Sequence, residues 1–172
     1  MSGATPSVIA DAVTRGWLDY ADQLVVVVRP LTEEQLAQRI APNLRSAGEI
    51  IGHIITGRAF WFQEVLKEQA DNGELKKLAE WFLQPDVALT AEKLAHGLEV
   101  TAALMRDAMA RWTPAQLAEQ IVLPWIGPKY PITRAWVVWH EIEHTLHHGG
   151  ELTQTLGLSD PNVLLPPPPP EN

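Results

Sequence analysis

Residues His140-Glu141-Ile142-Glu143-His144-Thr145-Leu146-His147-His148-Gly149-Gly150-Glu151 contain four of the chain's six histidines. His140, His144 and His148 recur every fourth residue. On an α-helix that spacing stacks them along one face, each about 6 Å further along the axis. Two imidazoles one turn apart can share a divalent cation, and a third ligand from elsewhere leaves positions open for water or substrate. The chain has no cysteine, so a transition metal must be held by imidazole and carboxylate, which suits zinc, nickel, iron or manganese.

The stripe offers two pairings. His140 with His144 makes a literal His-Glu-x-x-His, in which Glu141 would act as general base on a metal-activated water, as in zinc proteases. The longer forms of that motif do not continue here. One needs glycine where His147 stands and histidine where Gly150 stands. The other needs a downstream glutamate from another helix, and after Glu151 only Asp160 and Glu171 remain. The second pairing is His144 with His148, completed across the molecule by His53. Ligating imidazoles need outer partners to fix their tautomer; Glu151 and Glu141, each one turn from a ligand, are the candidates, and either could instead carry a proton in catalysis. Gly149 and Gly150 inside a helix cost roughly 1 kcal/mol each relative to alanine, which implies close approach of a backbone or a ligand.

The elements that must position these groups read as helices. Ile9, Val13, Trp17, Tyr20, Leu24 and Val27/Val28 keep helical spacing from Ser7 to Arg29, and Pro30 ends the run. Thr32-Glu33-Glu34-Gln35 is a capping box opening a short turn to Arg39, and Ser46-Ala47-Gly48-Glu49 opens a second long helix to about Gln69. Asp71-Asn72-Gly73 marks a turn, and a short helix spans Glu74 to Leu83, stopped by Pro85. Thr90 caps a third long helix to Trp112, followed by a short turn at Thr113-Pro114-Ala115-Gln116. Ile121–Trp125 and Lys129–Pro131, around Ile126-Gly127-Pro128, predict a small hairpin or loop. Thr133 caps the last long helix, Arg134 to about Leu156, and Gly157 ends it. The expected fold is all-α: an up-and-down four-helix bundle with short extra helices, one domain over residues 1–160, and a proline-rich extended tail over 161–172. Bundles of this kind build metal sites from side chains on facing helices.

Composition narrows the function. The chain has 172 residues, 46% hydrophobic and 20% charged, with formal net charge −8. It lacks the basic footprint that nucleic-acid binding requires. The opening MSGATPSVIADAVTRG shows no basic start followed by an apolar run, and Leu24–Val28 is too short to span a bilayer. A cytoplasmic protein with neither membrane nor nucleic-acid partners is expected.

Two segments together resemble the DinB-like (YfiT-like) superfamily of four-helix-bundle metalloenzymes. Its last helix typically carries His-x-x-x-His-Arg-Gly-Gln, matched here by His144-Thr145-Leu146-His147-His148-Gly149-Gly150-Glu151. Its second helix carries a histidine in an apolar run followed by aromatics, matched by Ile50-Ile51-Gly52-His53-Ile54-Ile55-Thr56-Gly57-Arg58-Ala59-Phe60-Trp61. The resemblance spans nearly the whole chain in helix order as well as motif. It implies that His53, His144 and His148 bind a divalent metal, nickel or zinc foremost, with a small-molecule substrate and a homodimer paired through bundle faces. Characterised relatives include thiol S-transferases that use bacterial low-molecular-weight thiols and a mycothiol-dependent isomerase. A thiol cosubstrate, with thiol or water activated by the metal and Glu151 or Glu141 as acid/base, follows from that resemblance. Gly149 stands where the family often has arginine and Glu151 where it often has glutamine, which makes this pocket more acidic; the His-His-Gly-Gly-Glu variant resembles a subgroup of the superfamily.

Other readings accompany these. A non-catalytic bundle with a structural metal, or none, is the alternative to an enzyme. A lone histidine such as His53 on an apolar helix face is ordinarily a hydrogen-bonded core residue. His140 either lines the pocket or is a satisfied histidine near the bundle end. His147, offset by about 100° from His148, belongs at the rim, and His96 on a solvated face. Trp61, Trp136 and Trp139 are expected in the core, and Arg58 as a surface charge.

Overall fold

Among the described residues, six of the seven helices open on a side-chain cap: Thr32, Ser46, Asn72, Thr90, Thr113 and Thr133 each accept from a backbone N–H of the first turn. The structure, a computed structural model, describes residues 8–81 and 89–157. The helices are α1 (Val8–Val28), α2 (Glu33–Ala37), α3 (Ala47–Ala59), α4 (Gly73–Ala79), α5 (Ala91–Arg111), α6 (Pro114–Leu117) and α7 (Arg134–Leu156). The capping boxes at Thr32/Gln35 and Ser46/Glu49 are closed in both directions, as the sequence pattern requires. Gly157 ends α7 in the left-handed region at φ 56°. Ser7, the Leu83–Pro85 end expected for the short helix, and the 161–172 tail lie outside the described residues.

The four long helices close a ring: α1 packs on α5, α5 on α3, α3 on α7 and α7 on α1. This is the expected all-α bundle. Its centre is apolar, with Leu24, Ile51, Phe62, Leu98 and Val137 wholly buried. The valine run belongs to α1: Val28 is fully buried while Val26 is 66% exposed, the unequal burial of one helical face. Val13, expected on that face, is 46% exposed. No helix is long and apolar enough to cross a membrane among the described residues.

Three expected boundaries shift. The second long helix does not run as α-helix to Gln69; it ends at Ala59 and continues as a π-helical turn over Phe60–Val65. Lys67 (φ 59°) and Gln69 (φ 49°) then break it with left-handed backbone. The first short turn stops at Ala37, two residues before Arg39. The hairpin forms further from its tip than Ile121–Trp125 and Lys129–Pro131 suggest: β1 (Gln120–Ile121) pairs antiparallel with β2 (Ile132–Thr133), Gln120 opposite Thr133.

Of the two mid-helix glycines, only one is explained by packing. A Cβ on Gly149 would overlap Tyr20 Oη and lie 2.8 Å from its Cζ, whereas a Cβ on Gly150 would meet nothing within 4 Å. Gly149→Ala is therefore expected to destabilise by about 1–3 kcal/mol through overpacking. Gly150→Ala is expected to stabilise by about 0.8–1 kcal/mol through helix propensity. Urea unfolding of the two variants, read by far-ultraviolet circular dichroism, checks the opposite signs.

Candidate metal centre

On α3 the buried stripe is Ile51, Ile54, Ile55, Arg58 and Phe62. His53 stands beside that stripe, so its ring emerges half-buried at the seam with α7. On α7 the inward stripe is Val137, Glu141, Thr145, His148 and Leu152, with His144 at its edge. Contacts of His53 with His144 and His148, of Gly57 with His144, and of Trp61 with Trp136 and His140 show the two helices running antiparallel. Close approach is possible at Gly57, where a Cβ would stand 2.9 Å from His144 Cε1.

Three imidazoles converge in that seam. Ring centroids lie 4.7 Å apart for His53–His144, 4.6 Å for His53–His148 and 4.5 Å for His144–His148. One nitrogen from each ring falls within 4.8 Å of the other two, and His53 Nε2 is 3.1 Å from His144 Nε2. Two nitrogens bound at 2.0–2.1 Å to one tetrahedral zinc lie about 3.3 Å apart, so this spacing fits a shared ion. His148 gives its Nδ1 to Glu151 Oε2 at 2.7 Å, leaving Nε2 as its ligand atom. The group could bind a metal ion.

Electrostatics favour the ligand-competent form. Burial, then the charge of Arg45 and the neighbouring His148, hold His53 down at about 4. Burial and the surrounding imidazoles, with Arg58 behind, hold His144 down at about 3. Both rings are therefore neutral at pH 7, the form in which an imidazole can ligate a cation. Burial raises Glu151, but its bond to His148 and the charges of His148, His147 and Arg45 together pull it below the usual carboxylate range.

The remaining histidines separate cleanly. His147 is 61% exposed and 3.4 Å from Glu151; His147, His148 and Glu151 form a second group near enough to share an ion, placed at the rim. His140 stacks on Trp136 with ring planes 9° apart and meets Trp61 edge-on. Among the described residues it joins no metal-binding group, so His144 is grouped with His53 and His148 rather than completing a His140 pair. His96 is on the surface, bonded to Glu74 at 2.7 Å.

Two expectations are corrected. Arg58 is not a surface charge: it is 0% exposed, because it falls one turn after Ile54/Ile55 and one turn before Phe62 on the buried stripe. Its Nη2 donates to Thr145 Oγ1 at 3.4 Å and its guanidinium lies 5.8 Å from the Trp17 ring centroid. Trp136 and Trp139 are not core residues. They are 41% and 60% exposed, since the inward stripe of α7 passes through Val137 and Glu141 and turns both tryptophans away from it. Trp61 is half-buried in the π-helical turn, packed on the core from one side and on Trp136 and His140 from the other.

Glu141 is also fully buried, on the far side of His144 from the other two rings. Its Oε1 and His144 Nδ1 both lie within 4 Å of the same point beside Gly57. Burial pushes its carboxyl up to about 8 against the pull of Arg58, while burial draws Arg58 down to about 10 against the pull of Glu141. Neither oxygen of Glu141, nor Nδ1 of His144, has a hydrogen-bond partner among the described residues.

The comparisons with known proteins agree with this architecture. A sequence profile of the DinB superfamily matches residues 19–152, a span containing all three rings. The chain belongs to the DinB superfamily. A crystal structure of a DinB-like protein from Bacillus cereus ATCC 10987 superposes with TM-score 0.63 at 23% identity, covering 86% of this chain and 90% of that one, which establishes the shared fold. No curated protein sequence matches the chain.

Two measurements test this DinB-superfamily site without metal. Because the folded values of His53 and His144 lie below 6.5, the unfolded chain takes up protons first as pH falls. Their contribution to stability is complete above about 6.5 and is lost as pH drops towards the folded values. Glu141, raised above its ordinary value, acts with the opposite sign, losing stability as pH rises from 4.5 through about 8. Comparing Tm of the metal-free parent with His144→Gln cancels that background, and the gap should move in the variant's favour between pH 7.5 and pH 5. Arg58→Met, which removes the cation that opposes the effect of burial on Glu141, should push that carboxyl further above about 8, so that the stability lost as pH rises extends further into the alkaline range. Adding Glu141→Gln should abolish that extra pH dependence in a double-mutant cycle.

Proposed function

We propose that this protein is a metal-dependent enzyme in which His53, His144 and His148 hold a divalent ion, nickel or zinc, and activate a thiol or a water. Three imidazole nitrogens that lie within 4.8 Å of one another in the α3–α7 seam, among the described residues, carry the reading. Structural zinc sites ordinarily close with four protein ligands, and three leave a position for a reactant. When bound, such an ion lowers the pKa of a thiol or water enough to supply a nucleophile near neutral pH.

The protein's own groups divide the remaining work. Glu151 holds the outer nitrogen of His148 and so orients the ring. Its side chain is also 42% exposed, which lets it exchange a proton with a reactant in the seam, and we assign it the acid/base role. Glu141 is sealed from solvent and takes no part in that exchange; with Arg58 it backs His144 from the interior. The reaction supported is transfer of a low-molecular-weight thiol to a small electrophile, or hydrolysis of a small substrate, at a seam where His148 is buried and His53 and His144 half-buried.

Metal content and turnover test the reading together. His148→Ala should abolish stoichiometric nickel or zinc binding in elemental analysis while the helical circular dichroism signal persists. His140→Ala should keep its metal, whereas a His140/His144 site would lose it. Retention of stoichiometric metal by His148→Ala overturns the ligand assignment. Zinc- or nickel-loaded protein inert across a panel of thiols and electrophiles, yet loaded stoichiometrically, would favour a non-catalytic metal-binding bundle.

A further inference from the structure

The seam continues beyond the three rings into a cavity of about 220 Å³ lined by Ile40, Leu44, Arg45, Ile50, Glu151 and Gln154. Glu151 is shared: one face borders the cavity and its Oε2 bonds His148. The cavity therefore opens beside the candidate metal centre. Its volume equals that of about seven waters at about 30 Å³ each, room for a carboxylate and a short hydrocarbon chain.

Arg45 is the informative lining residue. Arg29, Arg39, Arg106, Arg111 and Arg134 each pair with a carboxylate. Arg45 makes no ion pair or hydrogen bond among the described residues, in a chain of net charge −8 with carboxylates to spare. Its charge nevertheless reaches both His53 and Glu151. The loop presenting it is held from behind. Arg39 grips both Glu49 oxygens at 2.7 and 2.8 Å and donates to Leu44 O at 2.6 Å, and Ala47 N–H donates to Gln38 O at 2.9 Å. One arginine of this loop is committed to the fold, and the other, exposed, borders the cavity.

The walls add a second preference. Ile40 and Leu44 are 57% and 48% exposed while bordering the cavity, and Ile50 closes its base at 3%. Exposed apolar side chains around a single cation suit a ligand with an apolar body and an anionic end. A planar guanidinium binds a carboxylate in bidentate fashion. A phosphate dianion fits less well than a monoanionic carboxylate, since its second charge would find no further cation in the cavity and would add to the repulsion from Glu151.

We infer that this cavity is a substrate subsite in which Arg45 receives the carboxylate of a small aliphatic acid, with the Ile40–Leu44–Ile50 wall against its chain. The ligand's other end then points along the seam towards His148 and His53. The inference names a substrate class for the site described under Proposed function and rests on that reading for its role, although the binding itself does not require a metal.

The probes are pentanoate, its neutral analogue pentanamide, and inorganic phosphate, titrated at constant ionic strength into full-length protein with and without zinc. Pentanoate is expected to bind about tenfold more tightly than pentanamide, the discrimination of one charge-assisted contact. Arg45→Gln should erase that preference without changing zinc content, and Arg45→Lys should restore only part of it. A preference that persists in zinc-free protein and disappears in Arg45→Gln establishes the subsite even if the metal reading fails. The inference is overturned if the two probes bind alike, or if neither binds. It is equally overturned if the preference survives Arg45→Gln but vanishes without zinc, because the carboxylate is then on the ion. Phosphate binding as tightly as pentanoate through Arg45 would overturn the assignment to carboxylic acids.

Discussion

Close approach of α3 to α7 at Gly57 is the constraint on which the site depends. A side chain there would occupy the space of the His144 ring, with Cε1 at 2.9 Å and Nδ1 at 3.4 Å from the Cβ position. A Cβ at this position would press on the His144 ring, which must shift, and with it the approach of its Nε2 to Nε2 of His53. The third ring comes from α7 itself, one turn on, at no further cost in helix placement. The site is thus a property of one helix pair, and the rest of the bundle serves to hold that pair together.

Behind the rings the bundle tolerates an arrangement that hydrophobic packing alone would not produce. Arg58 and Glu141 are both 0% exposed, and Nε and Nη1 of Arg58, both oxygens of Glu141, and Nε1 of Trp17 have no partners among the described residues. An unsatisfied buried polar atom costs roughly 1–3 kcal/mol, and isolated buried charges far more. Each member of the pair is offset chiefly by the field of the other, since burial pushes Arg58 down and Glu141 up while their attraction opposes both shifts. Tyr20 closes the same region from α1, its hydroxyl set against the bare Cα of Gly149. A polar interior on one side of His144 and a solvent-facing seam on the other give the ring two distinct environments.

Much of this was legible in the sequence, for reasons that differ by element. Capping residues act locally, so Thr32, Ser46, Thr90, Thr113 and Thr133 announce their helices without reference to the rest of the fold. The pairing of His144 with His148 follows from helical period alone. That His53 meets them followed from family resemblance, because no local rule says which helix faces which. The π-helical turn was not legible: Phe60–Val65 contains no glycine or proline, and nothing in its residue types marks the i to i+5 bonding that it adopts. Arg58 was legible in principle. Its spacing from Ile51, Ile54, Ile55 and Phe62 places it on the apolar stripe, but a charged residue is ordinarily assigned to solvent unless its partner is known, and Glu141 is 83 residues away in the chain. Trp136 and Trp139 failed for the complementary reason, since large aromatics are assigned inward unless the helical phase is followed residue by residue.

The seam also has two unlike ends, and their difference constrains how a reactant reaches the rings. Towards the start of α7, Trp125, Phe60, Trp61, Trp136 and His140 form a continuous succession of ring contacts that ends at His144. Stacked and edge-on rings present flat apolar surface with little to bind a charge. Towards the end of α7 lie Arg45 and Glu151, where charge is available and the wall is aliphatic. If the proposed subsite holds, a reactant's carboxylate is oriented by the second end, and an uncharged partner would meet the first. Two reactants approaching one proposed ion from opposite directions would meet over the imidazoles. Under the proposed reading, that asymmetry suits transfer between two small molecules better than hydrolysis.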